Sequence, residues 1–352
     1  RLVFYYICNT MKGNKRFRLK KDEINLIENY RRIKEESIAA GINPDDVKHG
    51  WFKTDKSSLF FKNPNFKTEA KNKFAEDLIK ELQEYSPKYP TIKRRKSEDG
   101  HLLVLDPADI HVGKLCSILE TGKAYNQQVA VRQVKEGVQG ILDKSSGFNI
   151  DKINFIAGND ILHTDTPKSS TTSGTHQDQD GMWYENFLNA KRLYVEVIEQ
   201  LIQIADVHFT FNPSNHDYMT GFFLADVIKT HFRHCKNITF DCSIAHRKYF
   251  KYHKNLIGST HGDGAKNQDL PLLMATERPI LWSETDYRYV YTHHVHHKNA
   301  KDYIGVTVES LRSPSPADSW HDRNGYISKQ AIEGFIHHKE NGQIARLTHY
   351  FK

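Results

Sequence analysis

INFIAGNDILHTD, residues 153–165, sets five mostly apolar residues directly before a turn that carries Asp160 and His163. The run Ile153–Ala157 is too short for a helix and rich in isoleucine and phenylalanine, which is how a buried strand reads. Gly158 opens a turn, and the two side chains that follow it have lone pairs suited to a metal ion or a proton transfer.

The same unit recurs along the chain. HLLVL (101–105) runs into DPADIHVGK, with Asp109 and His111. VHFTF (207–211) runs into NPSNHDY, with Asn215, His216 and Asp217. KNLIGST (254–260) runs into HGDG, headed by His261, and YRYVYT (287–292) runs into HHVHH, with His294 and His296. Between the first strands lie apolar positions at helical spacing: Val131, Val134, Val138 and Ile141, then Phe187, Ala190, Tyr194, Val197 and Leu201. Alternating strands and helices predict a layered α/β domain over 101–352. The later segments are strand-rich and are expected to pair mostly antiparallel. In an open α/β sheet ligands gather beyond the carboxyl ends of strands, so five loops distant in sequence converge on one crevice. Their mixed oxygen and imidazole donors suit Mn²⁺, Fe²⁺ or Zn²⁺ better than Ca²⁺ or a cysteine-type structural zinc.

Of the 352 residues, 26% are charged, 38% hydrophobic and 11% aromatic, which excludes a disordered chain. A formal charge of +7 favours an anionic partner. Cys8, Cys116, Cys235 and Cys242 form no CxxC pair, so a reducing, cytoplasmic setting is expected. No apolar run approaches the roughly 18 to 20 residues that span a bilayer, and no membrane partner is expected. RLVFYYICNT, residues 1–10, reads as an upstream or non-native extension before Met11. A small α-rich unit is expected over 11–85. It has a helix from Lys21 to about Ala40 that Gly41 stops, a hairpin in WFKTDKSSLFFKNP, and a second helix through Phe74, Leu78, Leu82 and Tyr85. The prolines and the Lys93–Lys96 basic run make 86–100 an exposed linker.

Taken in order, Asp109-x-His111, Asn159-Asp160-x-x-His163, Ser214-Asn215-His216-Asp217, His261 and His293-His294-x-His296 resemble the signature of the calcineurin-like metallophosphoesterases. The resemblance runs from 101 to at least 297. The DxxH form of the second motif is similar to the SbcD-type DNA-repair nuclease branch, and the extra N-terminal segment resembles phage-encoded members. The resemblance implies a central β-sandwich flanked by helices and two divalent ions, Mn²⁺ first, with Fe²⁺, Zn²⁺ or Mg²⁺ as alternatives. It implies one ion on Asp109, His111, Asp160 and His296, and a second on Asp160, Asn215, His261 and His294, the Asp160 carboxylate bridging. His216 would stand beside the phosphate as a donor, with Asp217 to orient it and His163 as a second candidate for that outer role. Ions roughly 3.5 to 4 Å apart would bind phosphate oxygens, activate a shared water and neutralise the in-line transition state. The implied activity is phosphoester hydrolysis, foremost of DNA, with an ATPase subunit or a second copy as partner. A phosphomonoesterase, protein phosphatase or nucleotide hydrolase of the same fold is the runner-up, and a non-catalytic binding protein is the rival from another class.

Three positions depart from the signature, since Asn159, Ser214 and His293 stand where small glycines ease tight turns. An alignment through Gly158-Asn159 would put an amide at the bridge, but holding two dications together requires the charge of Asp160. Asp106, before Pro107, reads as a turn residue, and His293 and His297 as surface or supporting residues. His208 reads as a packed or edge histidine. Asp263 and Lys266 read as turn residues or substrate contacts. The polar loop 164–181 either shapes the cleft through Thr171, Thr172, Thr175 and His176 or contacts nothing.

Overall fold

The computed structural model describes residues 28, 31, 34–39, 41–42, 49–54, 57–62, 87–95 and 97–351. The expectations for 1–10 and for a helix through 74–85 fall outside them. The chain divides into two compact units, Arg1–Glu81 and Leu82–Lys352.

In the first unit, residues 34–39 are helical. Gly41, at φ 72°, closes that helix, with Gly41 N–H donating to the Ile38 carbonyl and Ile42 N–H to that of Ser37. Strands β1 (His49–Thr54) and β2 (Ser57–Lys62) form the expected hairpin. Trp51 and Phe60 face each other across it, ring centroids 5.2 Å apart, the kind of cross-strand aromatic pair that fixes register.

The second unit is built on two sheets. Strands β3 (His101–Asp106), β4 (Ile150–Gly158), β5 (Asp206–Asn212), β6 (Ile238–Asp241), β12 (Ala331–His338) and β13 (Gly342–Tyr350) pair in the order β13-β12-β3-β4-β5-β6. Strands β7 (Lys248–Tyr252), β8 (Asn255–Thr260), β9 (Tyr287–Thr292), β10 (Asn299–Tyr303) and β11 (Val306–Ser310) pair as β10-β11-β9-β8-β7. Period-two alternation sorts the core. Leu103, Leu105, Phe155 and Phe209 pack with α1 (Gln127–Ser145), α2 (Trp183–Ile204) and α3 (Tyr218–His231), while Leu102, Val104 and Ile156 meet Ile257 and Tyr291 between the sheets. A third cluster, with Leu256, Val290 and Met274, lies under the short helices Leu270–Glu277 and Pro279–Ser283. Two sheets face to face with helices outside form the expected layered α/β domain. Both helix faces read from the sequence are buried or partly buried, and Asn126 caps α1 by accepting the Val129 N–H at 2.9 Å.

Two expectations need correction. The second sheet is parallel at its centre, because the helices at 270–283 return the chain so that β9 runs with β8, and the edge strand β10 returns it again so that β11 runs with β9. The stretch 86–100 is not a free linker. The Tyr89 hydroxyl donates to Glu199 at 2.6 Å and its ring stacks on Phe232, Ile92 exchanges two bonds of 2.8 Å with Asn237, and Arg94 pairs with Asp206 at 2.5 Å. Among the described residues no helix is long and apolar enough to cross a membrane, and Cys116, Cys235 and Cys242 are free.

His337, wholly buried in β12, lies 3.0 Å from the Tyr291 hydroxyl, and burial pushes its pKa down to about 3. The unfolded chain therefore binds a proton near pH 6.5 that the folded chain refuses, so stability falls as pH drops from about 6.5 toward 3. His337→Gln should lose less stability than wild type between pH 6.5 and 4.5, the difference being on the order of 2 kcal/mol in urea melts. Parallel pH profiles of the two proteins would contradict the assignment.

Candidate metal centre

The carboxyl ends of β3, β4, β5, β8 and β9 deliver five loops to one place. Gly158 permits the turn after β4. It has φ 83°, and a side chain there would meet the Asn212 carbonyl. Around it Asp109, His111, Asn159, Asp160, His294 and His296 all hold φ between 49° and 69°, six of the eight non-glycine positive-φ residues among those described. Such backbone strain persists only where the surroundings over-determine it, and it collects at functional sites.

The donor atoms of the expected ligands converge in two sets, and His111 forms a third with His163 and His216. Ligand atoms of Asp109, His111 and His296 lie within 4.8 Å of one another, as do those of Asp160, His261 and His294. Asp160 Oδ2 stands between the sets, 3.3 Å from His261 Nε2 and 4.0 Å from His111 Nε2. His296 Nε2 is 3.5 Å from Asp109 Oδ1 and 3.3 Å from His111 Nε2, and Asn215 Oδ1 is 2.8 Å from His261 Nε2. All seven residues expected as ligands are thus brought together, and the Asp160 carboxylate reaches toward histidines of both groups. Asn159 is buried beside it without a partner for either amide atom among the described residues.

The local charges suit cation binding. Burial and the charges of His216 and Lys114 hold the His111 imidazole well below the ordinary histidine range, so it stays a neutral donor. Burial works against ionisation of Asp160, but His261 and His216 outweigh it and keep the carboxyl well below its usual range. Burial lowers His261 too, yet the Asp160 and Asp109 carboxylates lift it to about 9, the mark of an imidazole facing negative charge that a cation would neutralise. Its Nδ1 is buried and has no hydrogen-bond partner among the described residues. Imidazoles and carboxylates at this spacing, free of thiolates, fit divalent ions of the Mn²⁺, Fe²⁺ or Zn²⁺ type.

The residues expected to act without binding metal are placed less uniformly. The His216 N–H donates to Asp160 Oδ1 at 3.0 Å, and its ring Nδ1 lies 2.9 Å from the His163 carbonyl. A carbonyl only accepts, so Nδ1 carries a proton and Nε2 is the ring nitrogen this bond leaves open. His163, also buried, stacks on that ring at 5.4 Å and sets its own Nδ1 3.3 Å from His111 Nδ1. Asp217 is the correction. Its oxygens take the Ser214 hydroxyl at 2.6 Å and the Leu162 N–H at 2.8 Å, so it ties two loops together, and the His163 carbonyl is what holds the His216 ring. Burial and the neighbouring Asp160 push the Asp217 carboxyl up to about 7.

The residues in place of glycine act in the loops. The Ser214 hydroxyl accepts the Asp160 N–H at 2.7 Å while donating to Asp217. His293 is buried, its Nδ1–H donating to the Thr260 carbonyl at 3.0 Å and its Nε2 lying 3.0 Å from Asp106. Asp106 is therefore no turn residue but the buried end of β3, pinned to the HVH loop. His297 is exposed, and His208 stacks on Phe250 as a packed strand residue. In the loop 164–181, Thr171 accepts the Thr175 N–H, Thr172 donates to Asp165, and Asp165 accepts the N–H groups of Met219 and Thr220, so these side chains brace the start of α3.

Sequence reading missed Lys114, Asp318 and His321. The Lys114 side chain is 1% exposed, and its Nζ donates to the Pro316 carbonyl at 2.8 Å and pairs with Asp318 at 3.2 Å. Asp318 in turn holds His321 Nδ1 at 2.6 Å, and the His321 ring stacks on His296 at 5.5 Å. The position of Lys114, three residues after His111, was the available signal.

No protein-family model matches this chain, and no curated protein matches it. Solved structures match it loosely. Vps29 of Entamoeba histolytica complexed with zinc is 11% identical, with a TM-score of 0.29 over 71% of this chain and 99% of that one. A predicted phosphoesterase of Streptococcus pneumoniae is 12% identical, with a TM-score of 0.27 over 71% and 97%. A putative 5′-nucleotidase of Staphylococcus aureus is 8% identical, with a TM-score of 0.33 over 70% and 54%. Likenesses this distant carry no argument about function, which rests on the geometry of the five loops.

Proposed function

We propose that this chain is a two-metal phosphodiesterase acting on DNA. The observation that carries the reading is the Asp160 carboxylate, set between the Asp109, His111, His296 group and the Asn215, His261, His294 group. A pair of divalent ions, Mn²⁺ first, would be held by these seven residues and would supply charge neutralisation and an activated water. The chain's own part is to aim and to move protons. The His163 carbonyl holds the His216 Nδ1–H and turns Nε2 toward the centre, so that the doubly protonated ring would give its Nε2 proton to the leaving oxygen and be left as the neutral Nδ1–H form. Ser214 and Asp217 keep the Asp160 and His216 loops in register. A diester of DNA as substrate is supported by the DxxH spacing of Asp160 and His163 and by the +7 charge.

Purified protein with Mn²⁺ is expected to cleave labelled DNA and a bis-nitrophenyl phosphate diester faster than a nitrophenyl phosphate monoester, and to lose both activities with EDTA. Hydrolysis of the monoester alone would replace the diesterase reading with a phosphomonoesterase. No metal-dependent turnover on any of the three would replace it with a binding protein.

A further inference from the structure

The segment from Asp318 to Ser328 is fastened to the metal loops at both ends. At one end Lys114 pairs with Asp318, Asp318 holds His321, and His321 stacks on His296. At the other, the Ser328 hydroxyl donates to the His296 carbonyl at 2.6 Å. Between these anchors Trp320 and Tyr326 stack on each other, centroids 5.7 Å apart and planes 25° apart, yet each is 62% exposed. The Trp320 indole also meets the His321 ring edge-on at 5.1 Å, which leaves it one ring removed from a ligand histidine. The Tyr326 N–H donates to the His321 carbonyl at 2.9 Å, so the turn that presents both aromatics is closed by its own backbone.

An exposed aromatic pair braced this firmly beside a phosphoester centre calls for a flat apolar ligand attached to a phosphate. Every nucleobase offers a π-face, and stacking on an aromatic side chain tolerates any sequence. Arg323 on this segment and Lys329 just beyond it are exposed, available to flanking phosphates. We propose that Trp320 and Tyr326 form a stacking platform for a nucleobase of the strand whose phosphodiester lies at the metal centre. This rests on the diesterase reading and adds the recognition of an unpaired base, since a base inside a duplex has no free face.

The test compares fluorescent, cleavage-resistant phosphorothioate strands, one of thymidine and one abasic at every position, by anisotropy with the full chain and Mn²⁺. Wild type should bind the thymidine strand about tenfold or more tightly than the abasic one. Trp320→Ala combined with Tyr326→Ala should bind the two strands alike, and Trp320→Phe should keep most of the preference. Equal binding by wild type, or an undiminished preference in the double variant, would overturn the platform. So would a dimer in sedimentation that the double variant abolishes, since the aromatics would then serve a second copy. If no DNA is cleaved while the base preference persists, the diesterase reading falls and the platform stands. If DNA is cleaved with no base preference, the platform alone falls.

Discussion

Asp160→Asn is expected to lower metal-dependent turnover about a thousandfold, a loss of several kcal/mol of transition-state stabilisation at about 1.4 kcal/mol per tenfold. The substitution is chosen for what it keeps. An amide oxygen still accepts the His216 N–H now bonded to Asp160 Oδ1, so the loop retains its main local contact. What disappears is one negative charge between two imidazole-rich donor sets. Metal content by mass spectrometry should fall below one ion per chain, while far-ultraviolet circular dichroism stays as in wild type. A variant that keeps both ions and the wild-type rate would remove Asp160 from the bridging position and with it the two-metal reading.

The second large effect is expected one turn upstream. Gly158 has a backbone that L-residues rarely adopt, and the atom a side chain would strike is the backbone carbonyl of Asn212, which cannot swing aside as a flexible side chain would. Gly158→Ala should therefore cost roughly 2–4 kcal/mol, combining left-handed strain with overpacking, and lower the melting temperature by several degrees. The carbonyl it pushes lies at the end of β5, two loops of the centre move apart, and Mn²⁺ affinity should drop as well. Gly147→Ala is the control, since Gly147 sits in open space without a positive φ and should melt as wild type does. Equal melting of the two variants would show that the turn after β4 is not constrained in the way described.

The parts of this architecture legible in the sequence are those with a local signature. Short apolar runs marked the strands and helical spacing the helix faces, because a strand covered on both sides is apolar throughout and a helix buried on one side repeats at its own period. The five converging loops were legible because Asp109, Asp160, Asn215, His261 and the HVH histidines each follow such a strand at once. What escaped depends on partners distant in the chain. Nothing around Asp106 shows that its partner is His293, and a proline after an aspartate reads as a turn until the far loop is placed against it. Asp217 looked like an orienting residue because it adjoins His216, yet neighbours in sequence at the start of a helix point apart, and Asp217 reaches Ser214 and Leu162 instead. The parallel centre of the second sheet turns on which end the chain returns to after the helices at 270–283, which strand composition does not encode. Lys114, a charge among apolar neighbours, drew no reading because its acceptors, Pro316 and Asp318, lie far along the chain, Pro316 202 residues away.

The left-handed backbone at Asp109, His111, Asp160, His294 and His296 bears on how an ion would arrive. Five contorted peptide units held by the fold around them need no rearrangement when a cation comes, so their ordering entropy is charged to folding and not to capture. Uptake of metal should then be governed by how fast the aqueous ion sheds its own water. A chain whose surroundings have loosened would relax these turns and lose the socket before it lost its secondary structure.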